Sequence, residues 1–172
     1  RDVLGSRGLG DVYKRQLVMS AIHAAKYDFS SALNEASQAV IADSSSVAAR
    51  LQRAAILMRN ATSQTVTEKE AKSQINLAIA DLRVAKEKSP QNSYIYYNLG
   101  CIYLNQKTYN PALEAFNKAI EYDSRLPEAY YNRGLIYLHQ NDKNKAFADF
   151  SKAGQLGLYK AYALMKKIGH KQ

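Results

Sequence analysis

Few residues in this chain of 172 carry a pattern that could do chemistry. His23, His139 and His170 are the only histidines. None of them stands in metal-binding spacing with a second histidine or a cysteine. Cys101 is the single cysteine. It excludes an internal disulfide and a cysteine-based zinc site, and no basic sequence neighbour lowers its pKa toward a nucleophilic thiolate. No β pattern is visible, so no glycine-rich loop follows a strand to cradle a phosphate. The residues therefore predict no catalytic site, no metal and no cofactor. What remains is recognition chemistry. Side-chain amides, as in Gln52, Asn98 and Asn132, both donate and accept, and so can pair with the backbone of a peptide of any sequence. Tyrosines add rigid aromatic area at low entropic cost.

Composition agrees with a folded binding module. Lys and Arg number 24 against 15 Asp and Glu, a net charge of +9, while 47% of residues are apolar and only 3 are proline. A chain of this length and make-up can bury a substantial core and is not a disordered tail. No apolar run approaches the ~18 residues of a membrane span.

Residues 1–16 are set apart from the fold. Gly5-Ser6-Arg7-Gly8-Leu9-Gly10 reads as a linker, and Asp11-Val12-Tyr13-Lys14-Arg15-Gln16 resembles the translation of a sequencing-library adapter. The segment is read as a non-native leader, with the protein entering at Leu17. Without it the net charge is +7, since it holds four basic and two acidic residues. A natural start lying upstream leaves the compartment undetermined, with the cytoplasm as default.

The elements that position the amides come from an internal repeat. At an offset of 34, Tyr96-Tyr97-Asn98-Leu99-Gly100 falls on Tyr130-Tyr131-Asn132-Arg133-Gly134, and 13 of the 26 residues from 94 to 119 are identical to their partners. Upstream, Ala78, Leu82 and Ala85 precede Ala112, Phe116 and Ala119 by 34, whereas Ala32, Ala36 and Ala39 precede Ala78, Leu82 and Ala85 by 46. The difference is a 12-residue insertion between Leu57 and Ala78. Each unit reads as two helices. Tyr96, Leu99, Gly100 and Tyr103 share one face of the first, and Ala112, Phe116, Ala119 and Ile120 one face of the second. Gly100 and Gly134 are expected where a side chain would hold helices apart. Thr67 and Glu70 predict a capping box that opens a lengthened helix after a polar loop over 60–67. Gly154 and Gly157 are read as ending a helix. Leu158, Ala161, Met165 and Ile168 then form the apolar stripe of a capping helix.

This spacing, with Ala-x3-Phe-x2-Ala in the second helix, resembles the tetratricopeptide repeat. The resemblance implies an all-α, right-handed α-solenoid of antiparallel helix pairs with a C-terminal capping helix. The expected divisions are a leader over 1–16, a partial repeat over 17–46 and a repeat with the insertion over 47–92. Repeats over 93–126 and 127–160 follow, then the cap and tail over 161–172. In the family, first helices line a concave groove where asparagines hold an extended peptide by its backbone. Carried onto this sequence, the groove residues are Gln52, Tyr94, Tyr97, Asn98, Cys101, Asn105, Tyr131, Asn132 and His139. Chaperone-binding members clamp a C-terminal carboxylate with Lys, Asn and Arg. Tyr97, Cys101 and Glu128 occupy those places here, so heat-shock chaperone tails are not expected as ligands.

The expected function is a non-catalytic protein–protein interaction scaffold that takes an extended peptide or a partner helix. Two other readings stay open. Eleven of the 13 tyrosines lie between Tyr94 and Tyr162, suggesting base stacking beside basic charge. Against nucleic acid, Tyr96, Tyr103, Tyr130 and Tyr137 fall on the core stripe, and the lysines form no run. The third reading is self-association as a module of a larger protein.

Overall fold

The computed structural model describes residues 3–169, with side chains from Val12 to Ile168, and among them nine helices and no strand. The chain divides into two compact units, Arg1–Pro90 and Gln91–Gln172.

The first unit holds α1 (Val3–Ala25), α2 (Phe29–Ala42), α3 (Val47–Ala61) and α4 (Glu68–Lys88). Each helix packs on the next, and the first helices of the two pairs, α1 and α3, also touch. Ala32, Ala36 and Ala39 are fully buried, because their small side chains let α2 approach its neighbours closely. Ala24, Ala32, Ala36 and Ile56 form one core layer, and Ala39, Val40 and Ala49 another. The side chains of Asp28, Ser46 and Thr67 accept the amides of Ser31, Ala49 and Glu70 and so begin α2, α3 and α4. Such a cap satisfies an otherwise orphan donor and is worth about 1 kcal/mol.

Two expectations meet the structure here. The Gly5 to Gly10 segment, read as a linker, is helical, in a helix that runs from Val3 to Ala25. Once residues 17–25 are docked, each further helical residue gains a hydrogen bond without a new nucleation cost. Tyr13 and Leu17 also pack against Ala39, Val40 and Ala49, and the Tyr13 hydroxyl bonds the Ser46 hydroxyl. The helix bears on conformation and leaves the origin of the segment to its coding DNA. The insertion takes the expected form: Thr67 and Glu70 make the capping box, and α4 has 21 residues.

The second unit holds α5 (Ser93–Asn105), α6 (Tyr109–Tyr122), α7 (Pro127–His139), α8 (Lys143–Gln155) and α9 (Lys160–Gly169). Packing again runs along the chain, with α5 also against α7. A Cβ added at Gly100 would lie 2.6 Å from the Phe116 ring, and one at Gly134 2.9 Å from that of Phe150. The glycines thus seat the large aromatic of the helix that follows. Gly154 departs from the sequence reading: α8 runs through it to Gln155, and Gly157, at φ +99°, comes after the end. Gly154 is instead a packing position, where a Cβ would stand 2.5 Å from Tyr162 on α9. Ala161 and Ile168 of α9 are buried with Leu158, Leu164 and Met165 against the last pair.

Buried ion pairs tie first to second helices. Arg53 grips the buried Asp81 through Nε and Nη2 at 2.7 Å each, and Arg50 adds a third bond at 2.9 Å. Arg133 grips Asp149 at 2.8 and 2.7 Å and reaches Asn117 at 2.7 Å. Arg53 and Arg133 are equivalent in the repeat, as are Asp81 and Asp149. The repeat between them carries Leu99 and Ala115 at those places.

Candidate functional site

The predicted groove residues lie on the first helices, and the structure separates them by what already holds them. Gln52 belongs to the first unit. Its amide nitrogen donates to the Leu17 carbonyl at 2.7 Å and to the Ser20 hydroxyl, so it already bridges α3 to α1. The remaining eight are in the second unit. Tyr94 is 51% exposed near the start of α5. Asn105, which ends α5, is exposed as well, while Asn98 is buried. His139 ends α7, exposed, with its ring 4.4 Å from that of Tyr109 and Nε2 3.1 Å from the tyrosine hydroxyl.

Between α5 and α7 three of them meet. Asn132 Nδ2 donates to Tyr97 Oη and to Cys101 Sγ at 3.5 Å each, a long distance for the oxygen and an ordinary one for the sulfur. Residues 97 and 101 share a face because they are one helical turn apart. Tyr97 also packs on Phe116, centroids 6.1 Å apart, and Tyr131 on Phe150 at 5.7 Å. The aromatics therefore have one face on the core. Sequence reasoning missed Lys160, whose ammonium lies 4.4 Å from the Tyr131 centroid. Its place at the start of the cap, beside the last repeat, is the signal that could have found it.

Burial sets the protonation states. It pushes the Tyr97 phenol well above its usual value, and the neighbouring Cys101 adds to the shift. Burial likewise pushes the Cys101 thiol up to about 11, against hydrogen bonding with Tyr97 and Asn132 that pulls the other way. At neutral pH both are protonated, so the cluster offers a hydroxyl, a thiol and an amide and no thiolate nucleophile. Among the described residues, no group of three or more His, Cys, Asp or Glu could hold a metal ion. No helix among them is long and apolar enough to cross a membrane. His170 lies outside the described residues.

Antiparallel helix pairs repeated along a chain whose described residues hold no strand define an all-α helical-repeat solenoid. Residues 102–141 match the family described as TPR repeat, and residues 127–157 that described as Tetratricopeptide repeat. Solved structures share the fold. TTC0263, a thermophilic TPR protein of Thermus thermophilus, superposes with a TM-score of 0.81 at 13% identity, over 91% of this chain and 80% of its own. PilF of Pseudomonas aeruginosa gives 0.75 at 20% identity, over 95% and 70%. MamA of Desulfovibrio magneticus gives 0.62 at 19%, over 84% and 75%. No curated protein matches the chain in sequence. Residues 102–157 thus carry tetratricopeptide repeats, and the chain shares the fold of tetratricopeptide-repeat proteins. Domains of this family bind protein partners, and the chain is accordingly a protein-interaction scaffold.

Proposed function

We propose that the second unit takes an extended peptide, or the exposed edge of a partner helix, across the first-helix face of α5 and α7, without catalysis. The observation that carries this is the Asn132 amide. Its bond to Tyr97 Oη is long at 3.5 Å and its other acceptor, Cys101 Sγ, is a weak one, so a peptide carbonyl at about 2.9 Å is the better acceptor. Tyr94, half-exposed, supplies aromatic area at the start of the same helix. Asn98, one position after Tyr97, is buried. Gln52 is committed to α1, so the site rests on the second unit.

Peptide selection against the full chain, followed by affinity measurement on Asn132→Ala, tests this. Losing one backbone-pairing amide should weaken a selected peptide by about tenfold while circular dichroism stays unchanged. A photo-crosslinker replacing Tyr94 should capture the same peptide, and one replacing Glu114, exposed on α6, should not. Equal capture from both positions would sink the assignment.

A further inference from the structure

The 12-residue insertion builds a second wall where a plain repeat has only a turn. Between the α1–α2 turn and the start of α4 lies an open cleft of about 690 Å³. Tyr27, Asp28 and Phe29 line one side, the insertion loop the end, and Glu70 and Gln74 the other side. The chemistry of its walls is one-sided. Asp28 and Glu70 are its charged lining residues, and it has no lysine, arginine or histidine in its lining. Hydrogen bonds from Ser31 and from Thr67, respectively, hold both carboxyls below their usual range, so both are ionised at neutral pH. Glu70 uses one oxygen, Oε2, for its capping bonds, which leaves Oε1 for a ligand. Gln74, one helical turn further on, has its Oε1 buried with no hydrogen-bond partner. A buried acceptor without a donor is costly and calls for an N–H or O–H from outside.

The aromatic side shows what it accepts. The Arg59 guanidinium lies 5.6 Å from the Tyr27 centroid and 5.5 Å from that of Phe29. Tyr27 is nonetheless 75% exposed, held there by a left-handed backbone at φ +60°. A ring fixed this far into solvent keeps a face open to a second cation. Asp28 is also paired with His23 Nδ1 at 3.2 Å, so Glu70 is the carboxylate left to a cationic ligand.

We propose that this cleft binds the cationic side chain, arginine or lysine, of an extended segment of a partner protein. The head group sits between Glu70 and Gln74, and its stem lies against Tyr27. This goes beyond the α5–α7 reading and is independent of it, because every residue used is in the first unit.

Amide-resolved NMR titration of the full chain with acetyl-Gly-Arg-Gly-amide tests it. The lysine analogue and the neutral citrulline analogue serve as comparison peptides. Saturable shifts at Tyr27, Thr65, Glu70 and Gln74 are expected with the arginine and lysine peptides and absent with citrulline. Glu70→Gln keeps the capping box while removing the charge, and should weaken binding about threefold. Gln74→Glu should tighten it by a similar factor. Equal shifts from the arginine and citrulline peptides overturn the proposal, as does a response at other residues or affinity indifferent to both variants. Spermidine displacing the arginine peptide at equal concentration would assign the cleft to a free polyamine and also overturn it. A failure of Asn132→Ala to affect the second unit leaves these outcomes unchanged.

Discussion

Arg133 and Asp149 show how one position can be filled in two ways. Asp149 is 5% exposed and held by two arginine nitrogens. Removing only the arginine strands a carboxylate away from water, which costs far more than the pair itself contributes. The neighbouring repeat avoids the charge by carrying Leu99 and Ala115 instead. Arg133→Leu alone should therefore lower unfolding free energy by about 3 kcal/mol, and Arg133→Leu with Asp149→Ala should recover most of it. Chemical denaturation of both variants checks this; equal losses would mean the pair is not coupled. Lys107 offers a second test at this scale. Its φ of +59° is left-handed, where a Cβ costs roughly 1 kcal/mol that glycine avoids. Lys107→Gly should raise the melting temperature by a few degrees, and an unchanged or lower value would refute the strain. The arginine–aspartate pairs were not read from the sequence. Their members lie 28 and 16 residues apart on different helices, although their recurrence in register with the repeat was there to find. Gln52, Asn98 and Asn132 were legible as equivalent amides, but their unequal commitments were not. Those depend on whether a Ser20 or a Tyr97 lies opposite, which a repeat alignment does not encode.

Helices were the most legible level. The 3.6-residue spacing of Ala112, Phe116 and Ala119, and the Thr67–Glu70 box, are local signals that tertiary packing had no reason to override. Helix ends were less so. Gly154 looks like a terminator and is instead where α9 rests, because the Tyr162 ring occupies the volume of a Cβ. Gly154→Ala should displace α9 and cost about 1–3 kcal/mol, with Tyr162→Leu restoring part of the loss. Hydrogen exchange should show faster α9 amides in the single variant, and exchange spread evenly over α7–α9 would contradict a local clash. At the other end of α8, Asp142 caps the helix and meets Lys145 Nζ at 2.9 Å. Hydrogen bonding to Lys145 holds its carboxyl below the usual aspartate range. A depressed folded-state pKa gives stability that is present above the unfolded value of about 4 and is lost as pH falls through the lower folded value. Asp142→Asn keeps a good cap and carries no titrating charge. It should flatten the acid limb of the stability curve below about pH 4, and an identical limb would remove Asp142 from the acid response.

For the whole molecule the open choice at the sequence level was between protein and nucleic-acid partners, and it turns on charge. The net charge of +9 attracts any polyanion at low ionic strength, so weak retention of nucleic acid there is uninformative. The arrangement of the charge is more telling. Arg50, Arg53 and Arg133 spend their charge on buried aspartates, and Lys160 lies over Tyr131. Arg59 lies over Tyr27 and Phe29. Five of the 24 basic side chains are thus engaged in contacts within the fold. Tyr96 and Tyr130 are buried while Tyr94, Tyr122, Tyr159 and Tyr162 are exposed, so the tyrosine cluster that resembles a base platform is split between core and surface. A partner held by amide pairing and aromatic contact loses little affinity as salt rises. One held by phosphate contacts loses it steeply, in proportion to the counterions released. Affinity of a selected peptide should therefore fall by less than about threefold between roughly 0.05 and 0.3 M salt, because contacts at a partly buried site are weakly screened. Single-stranded RNA should be released almost entirely over the same range. A peptide affinity that drops a hundredfold, or RNA that stays bound, would reverse the assignment and make the basic surface the functional one.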